Sequence, residues 1–282
     1  MDGKAERLAQ GLRTLGVPNA GSAASAMEYF MSLVLERNEV INLTSVTEER
    51  EFVEKHFFDS VSCFGWPEIE DAKQVVDVGT GAGFPGIPLA IVFPEKRFLL
   101  IDALGKRIDF LREAVAALQL ENVSLLHSRA EEAGRDRQYR ERYDLCVSRA
   151  VGRLSVLSEY CFPFVSPGGF LYAYKTMNAM TEIEDSRLAR QLLGGAIEVD
   201  VRPTGRALDC GSETETGSPH GKSLPDGAAC AEAEPGNRKR RKTDAKDDHP
   251  RRYEHNIMVM KKIRATPLAY PRKAGTPGRA PL

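Results

Sequence analysis

The order of apolar and polar positions divides the chain into two textures. Over 21–36, Met27, Phe30, Met31 and Val34 recur at three- and four-residue spacing, which predicts an amphipathic helix. The run from Arg37 to Thr44 breaks that period. A second helix is predicted from near Glu48, with Phe52, Val53, His56, Phe57 and Val61, and Trp66-Pro67 closes this helical part. From residue 74 short apolar runs alternate with helical patterns. Strands are predicted at Gln74–Val78, 97–101, Val123–His127, 144–148 and 169–175, the last after a Ser166-Pro167-Gly168 turn. Helices are predicted from Gly86, over 106–118 (Ile108, Leu111, Val115, Leu118) and over 154–162. This order implies parallel strands joined by crossover helices, hence a buried, doubly wound α/β sheet. Segments 196–201 and 256–262 add a final hairpin. Between them, 205–250 holds six Gly, four Pro and only Leu208 and Leu224 as large aliphatics. That is too little apolar surface to offset ordering entropy, so a disordered insertion is expected. The resulting division is a helical N-terminal extension over 1–70, a core over 71–204, the insertion over 205–250, and a last strand with a basic tail over 251–282.

Composition narrows the function classes. With 282 residues, 42% hydrophobic and 28% charged, the chain is of ordinary globular type. No run approaches the roughly 18 apolar residues of a membrane span, and the first residues lack the apolar stretch of a secretory signal. Five cysteines (Cys63, Cys146, Cys161, Cys210, Cys230) without a CxxC pair or a histidine at metal spacing argue against a disulfide framework or zinc site. They argue for a reducing compartment such as the cytoplasm. A net charge of −1 conceals a local asymmetry. Arg251, Arg252, Lys261, Lys262, Arg264, Arg272, Lys273 and Arg279 face Glu254 alone in 251–282, and Pro267, Pro271, Pro277 and Pro281 keep that tail extended. Such a strand and tail can track an RNA backbone with salt-sensitive binding, with Arg251, Arg252, Lys261, Arg264, Arg272 and Lys273 as candidate contacts. Arg238-Lys239-Arg240-Arg241-Lys242 forms a second basic cluster, but the nine acids of the insertion nearly cancel the charge of its eight bases.

The strongest chemical signal runs from Val75 to Gly86: a buried strand, the turn Gly79-Thr80-Gly81-Ala82-Gly83, and a helix start. Glycines let backbone approach a ligand closely, and a helix N-terminus presents free N–H groups. Read two residues late, Gly81 to Gly86 also fits the dinucleotide G-x-G-x-x-G pattern. Asp77, placed before the first glycine, suits a cationic amino-acid moiety better than a pyrophosphate. Asp102 ends the next strand, where a carboxylate accepts hydrogen bonds from ribose hydroxyls, a feature shared with NAD sites. Arg129-Ala130-Glu131 follows the third strand and can address an adenine edge. The D-x-G-x-G-x-G register with these followers is that of S-adenosylmethionine methyltransferases. It makes Asp77, Gly79, Gly81, Gly83 and Asp102 candidate cofactor residues. A nicotinamide enzyme and a ligand-free structural turn are the alternatives.

Five segments carry a closer likeness: Asn38 to Thr44 (NEVINLT), Lys55 to Ser60 (KHFFDS), Asp77 to Pro88 (DVGTGAGFPGIP), Ser148-Arg149-Ala150, and Tyr270 to Pro277 (YPRKAGTP). In these the chain resembles the RsmG (GidB) family of bacterial 16S rRNA guanine-N7 methyltransferases, over about 25–204 and 253–282. The family generally has a short turn where this chain carries 205–250. The resemblance implies a Rossmann-like class I SAM-dependent methyltransferase fold with a mostly parallel seven-stranded sheet. It implies S-adenosylmethionine as cofactor and N7 of guanine 527 in 16S rRNA of the small ribosomal subunit as acceptor. It implies cofactor contacts at Gly79, Phe84, Asp102, Ala103, Leu104, Ala130 and Glu131, with Arg149 facing the methyl donor and target base. The expected protein is a monomer without metal or membrane partner. Plainer readings stand beside these: Phe84 as a core aromatic, Arg149 as a structural ion-pair partner, and His56 as a buried histidine rather than one lining the donor-site entrance with Asn42 and Asp59. Guanine N7 has an in-plane lone pair and is unprotonated at neutral pH, so transfer needs alignment rather than a general base. In keeping with this, Ser148-Arg149-Ala150 stands where amino-group methyltransferases carry [DN]-P-P-[YFW], and there is no Pro-Cys nucleophile. The alternatives are a methyltransferase of another RNA acceptor and a non-catalytic rRNA-binding protein on the same fold.

Overall fold

The structure, a computed structural model, describes residues 3–176, 180–204 and 255–282. A second unit, Asp209–Arg252, lies outside the described residues, as do Arg251, Arg252 and the whole 205–250 insertion.

The chain opens with α1 (Gly3–Thr14) and α2 (Ala20–Asn38), then α3 (Glu49–Phe52), a π-helical turn at Val53–Phe58, α4 (Asp59–Val61) and α5 (Pro67–Asp71). The face of α2 carrying Met27, Phe30, Met31 and Val34 is buried, as its spacing requires. The apolar pattern does not predict α1: among its described residues, Leu8, Ala9, Gly11 and Leu12 turn inward, too short a stripe to stand out. It also treats 49–61 as one regular helix, whereas the middle of that stretch widens to π geometry.

The alternating part follows: β1 (Gln74–Val78), α6 (Gly86–Val92), β2 (Arg97–Asp102), α7 (Gly105–Ala117), β3 (Val123–His127), α8 (Ala130–Ala133), β4 (Tyr143–Arg149), α9 (Leu154–Cys161), β5 (Val165–Thr176), α10 (Glu182–Asp185), α11 (Arg187–Leu193), β6 (Asp200–Pro203), β7 (His255–Lys261) and α12 (Thr276–Arg279). Seven strands form one sheet in the order β3-β2-β1-β4-β5-β7-β6. Pairing is parallel from β3 to β5, and β7 runs antiparallel to both its neighbours. This is the expected doubly wound, Rossmann-like sheet. Strand order reverses between β1 and β4, and ligands of such sheets bind at the carboxyl ends of the strands flanking that reversal.

Two boundaries differ from expectation. Ser166-Pro167-Gly168 is not a turn before β5 but a bulge within it: Tyr143 pairs with Val165 and Leu145 with Phe170, so the extra residues loop out without ending the strand. The predicted strand 196–201 shifts to Asp200–Pro203, and Gly195 makes only an isolated bridge to Lys262.

Helices cover both faces. On one, α1, α2 and the 49–61 stretch share a core with Val75, Leu100, Leu145 and Ile257 of the sheet, so the N-terminal helices are continuous with the core. On the other, Val76, Ile101, Cys146 and Met258 pack with Leu154, Leu157 and Leu193. Cys63, Cys146 and Cys161 are buried free thiols. No helix among the described residues is long and apolar enough to cross a membrane.

Candidate functional site

The glycine turn leaves β1 and enters α6 at the reversal point. Gly79 has φ +73°, and a Cβ there would lie 2.5 Å from Val151 Cγ2, so glycine is required by backbone conformation and by space. Gly81, at φ +62°, differs: a Cβ there would meet nothing within 4 Å, leaving an open cradle beside the turn. Gly83 packs closely on Ile87 and Leu111, and Phe84 is buried against Phe30, Phe52, Phe57 and His56.

Carboxylates occupy the turn from both sides. Asp77 Oδ2 accepts from Thr80 Oγ1 (2.7 Å) and the Gly86 amide (2.9 Å). Asp102 accepts from the Gly81 amide through Oδ2 (2.9 Å) and from the Leu104 amide through Oδ1 (2.9 Å), with Arg107 at 3.3 Å. The amides of Gly79 and Thr80 go to Ile101 O, and those of Gly83 and Phe84 to Thr80 O. These donors are therefore engaged internally, and two acidic groups stand where a pyrophosphate would need positive potential. The donor set fits a ligand that is itself cationic and carries a diol. Asp77 Oδ1 strengthens the fit, being buried without a hydrogen-bond partner. Burial pushes the Asp77 carboxyl up to about 7, against the lowering pull of Thr80 and Gly86. A neighbouring cation would favour its ionised form. Asp102 has further acceptor capacity at the end of β2, next to Ala103 and the half-exposed Leu104.

Arg149, at the end of β4, precedes Ala150, whose φ of +58° is strained for a residue with a side chain. Its guanidinium turns onto the π-helical turn. Nη1 donates to Lys55 O (2.9 Å) and lies 3.4 Å from Asp59 Oδ2, Nη2 meets His56 Nδ1 at 3.2 Å, and the group sits 5.2 Å from the Phe84 ring centroid. Asp59 also meets His255 Nδ1 at 3.3 Å. Burial raises the Asp59 carboxyl, but His255 and Arg149 outweigh it and hold the group below its ordinary value. Burial and the Arg149 charge push His56 down to about 3, so the imidazole is neutral at physiological pH. Thr44 anchors its other nitrogen at 2.8 Å. Asn42, two residues before Thr44, lines a cleft of about 480 Å³ with Val40, Leu43, Ala103, Leu104 and Arg107.

Other predicted residues lie elsewhere. Ala130 opens α8, and the Glu131 carboxylate is engaged within the fold, accepting from the Gly275 amide at 2.8 Å. Arg272 is among the candidate RNA contacts. Its fork instead closes on fully buried Glu159, at 2.9 Å through Nε and 2.6 Å through Nη2. The tail is not free and extended: Arg135 and Arg140 donate to the carbonyls of Pro271, Tyr270 and Thr266. Lys262 is buried on Glu141. Lys261 and Lys273 are exposed, and exposed Arg264 donates to Gln191 O. The sequence reading also missed Glu159, a carboxylate inside an apolar helical pattern whose partner lies far along the chain.

Comparison with known proteins adds the following. The family model for rRNA small subunit methyltransferase G matches residues 23–202. A ribosomal RNA small subunit methyltransferase G of Lachnoclostridium phytofermentans is 37% identical over 97% of this chain and 95% of its own length. One from Lactobacillus acidophilus is 39% identical over 90% and 88%. Among solved structures, the O-methyltransferase from Bacillus cereus in complex with SAH aligns with a TM-score of 0.49 at 14% identity, over 83% of this chain and 91% of that one.

Proposed function

Since the chain belongs to the rRNA small subunit methyltransferase G family, we propose that it moves a methyl group from S-adenosylmethionine to N7 of a guanine in 16S rRNA of the small ribosomal subunit. The observation that carries the donor assignment is the pair Asp77 and Asp102, which engage the turn's amides and leave an acidic, glycine-lined bend. When bound, the cofactor supplies an electrophilic methyl on a cationic sulfur. Asp102, with Ala103 and Leu104, holds the nucleoside end. Gly79 and Gly81 let the backbone come close, and Asp77 supplies negative potential beneath the cationic end. Ala130 and the backbone at Glu131 border the base.

On the acceptor side no group has to remove a proton, because N7 attacks with its own lone pair. The residues around Arg149 agree with that economy: the neutral His56 and the ion-paired Arg149 form a fixed wall rather than an acid–base pair. Arg149 orients the incoming base at the mouth of the site, and alignment of the two reactants supplies the rate. Lys261, Arg264 and Lys273, with Arg251 and Arg252, contribute salt-sensitive attraction to the RNA backbone. The enzyme acts as a monomer in the cytoplasm.

The test is incubation of the purified chain with S-adenosylmethionine and small subunits from a strain lacking this activity, with the methylated nucleoside read by mass spectrometry. One 7-methylguanosine in 16S rRNA is expected. A methyl group on another atom would sink the acceptor assignment, and binding without transfer would favour a non-catalytic role.

A further inference from the structure

His56 lies outside the donor turn and outside the cofactor contacts that the resemblance implies, yet it joins three elements. Its ring stacks on Phe84 of the glycine turn, with centroids 4.5 Å apart and planes 18° apart, and meets Phe52 edge-on at 4.6 Å. Nδ1 faces Arg149 Nη2 at 3.2 Å, and Nε2 faces Thr44 Oγ1 at 2.8 Å. A guanidinium only donates, so Nδ1 accepts and the single ring proton sits on Nε2, which donates to Thr44. Thr44 is itself fixed: its amide and that of Leu43 donate to Asn38 Oδ1 at 2.9 and 2.7 Å, and its hydroxyl accepts from the Val46 amide at 3.1 Å. A second ring proton would point at Arg149, so the arrangement holds only the neutral tautomer. The charged groups packed around it are Lys55, Asp59 and Arg149. The wide π turn places His56, the Lys55 carbonyl and Asp59 together against one guanidinium, and such turns are frequent at functional sites.

We propose that His56 is the positioning residue of the methyl transfer: through one imidazole it fixes the Arg149 guanidinium and the Phe84 ring of the donor turn to the Thr44 segment. This rests on the function proposed above. His56 moves no proton and touches no reactant. It keeps the wall of the site in one geometry, and displacement of such a wall by about an ångström costs on the order of 100-fold in rate.

The experiment uses the full chain with small subunits and S-adenosylmethionine, both saturating. His56→Phe keeps the flat ring and loses both hydrogen bonds. It is expected to lower kcat by about 10- to 100-fold while the Kd for S-adenosylmethionine, read by calorimetry, moves less than about threefold. His56→Gln, with a donor and an acceptor, is expected to recover part of the loss. Thr44→Val removes the Nε2 anchor, together with the acceptor of the Val46 amide, while leaving the imidazole and Nδ1 in place; it is expected to show the same split more mildly, which decides the matter if the Phe variant does not fold. Unchanged kcat in the Phe variant, or in Thr44→Val where only that variant folds, overturns the inference. So do equal losses in kcat and donor affinity, which mark His56 as packing. A wild-type pH–rate inflection near the ordinary imidazole value of about 6.5 that vanishes in His56→Gln overturns it by making His56 an acid–base group. A wild-type chain that methylates nothing removes the underlying function instead, and is told apart by the first control lane.

Discussion

The glycine turn and the C-terminal tail were both rich in candidate residues, and they behave oppositely. In the turn, Asp77 accepts from Thr80, which lies between Gly79 and Gly81, and Asp102 accepts from the Gly81 amide, so the four candidates share one bend. In the tail, the charged residues divide: Arg272 and Lys262 are held inside the fold by Glu159 and Glu141, whereas Lys261, Arg264, Lys273 and Arg279 face outward among the described residues. The difference lies in what fixes each residue. A strand–turn–helix is local geometry, so the backbone that needs glycine also places the carboxylates. A basic side chain takes whatever partner the tertiary fold brings to it, and a buried carboxylate competes strongly with a distant phosphate.

The sharpest way to break this contrast is at Gly79. Gly79→Asp adds a side chain where Val151 already stands, on a backbone that disfavours it, and a third acid in the bend. Donor affinity is expected to fall at least ~100-fold by calorimetry. Unchanged affinity would show that the turn does not hold the donor. The tail is tested by Arg272→Ala. This leaves Glu159 charged and buried, at a cost of about 3 kcal/mol and a fall in Tm of roughly 5–10 °C. An unchanged Tm together with a shallower salt dependence of subunit binding would return Arg272 to the RNA surface.

Legibility followed the same division. The bounds of β1 and β3 and the buried face of α2 could be read from runs and periods, because neighbours in sequence decide them. The Arg272–Glu159 and Glu131–Gly275 ties join positions 113 and 144 apart, and no local pattern announces them. The π turn was hidden for a related reason: KHFFDS has ordinary helical composition, and the widening shows only where Arg149 takes the Lys55 carbonyl. For Arg149 the sequence alone admits two roles. The ion pair with Asp59 is present, and the catalytic role rests on what His56 and Asp59 make of its position.

A smaller effect follows from Asp77. Its carboxyl titrates near 7 when folded, above the ordinary carboxylate value. Between those values the folded chain holds a proton that the unfolded chain releases, so the stability of the unliganded protein falls as pH rises through that window and levels off above about 7. A cationic donor favours the ionised carboxylate and must expel that proton. The most direct measurement is therefore calorimetric titration of the wild-type chain with S-adenosylmethionine and, separately, NADH from pH 5.5 to 8.5. S-adenosylmethionine is expected to bind, with affinity climbing by up to about tenfold per pH unit and flattening above about 7, while NADH does not bind. Tight NADH binding, or no heat from S-adenosylmethionine at any pH, would contradict the acidic bend as a sulfonium site.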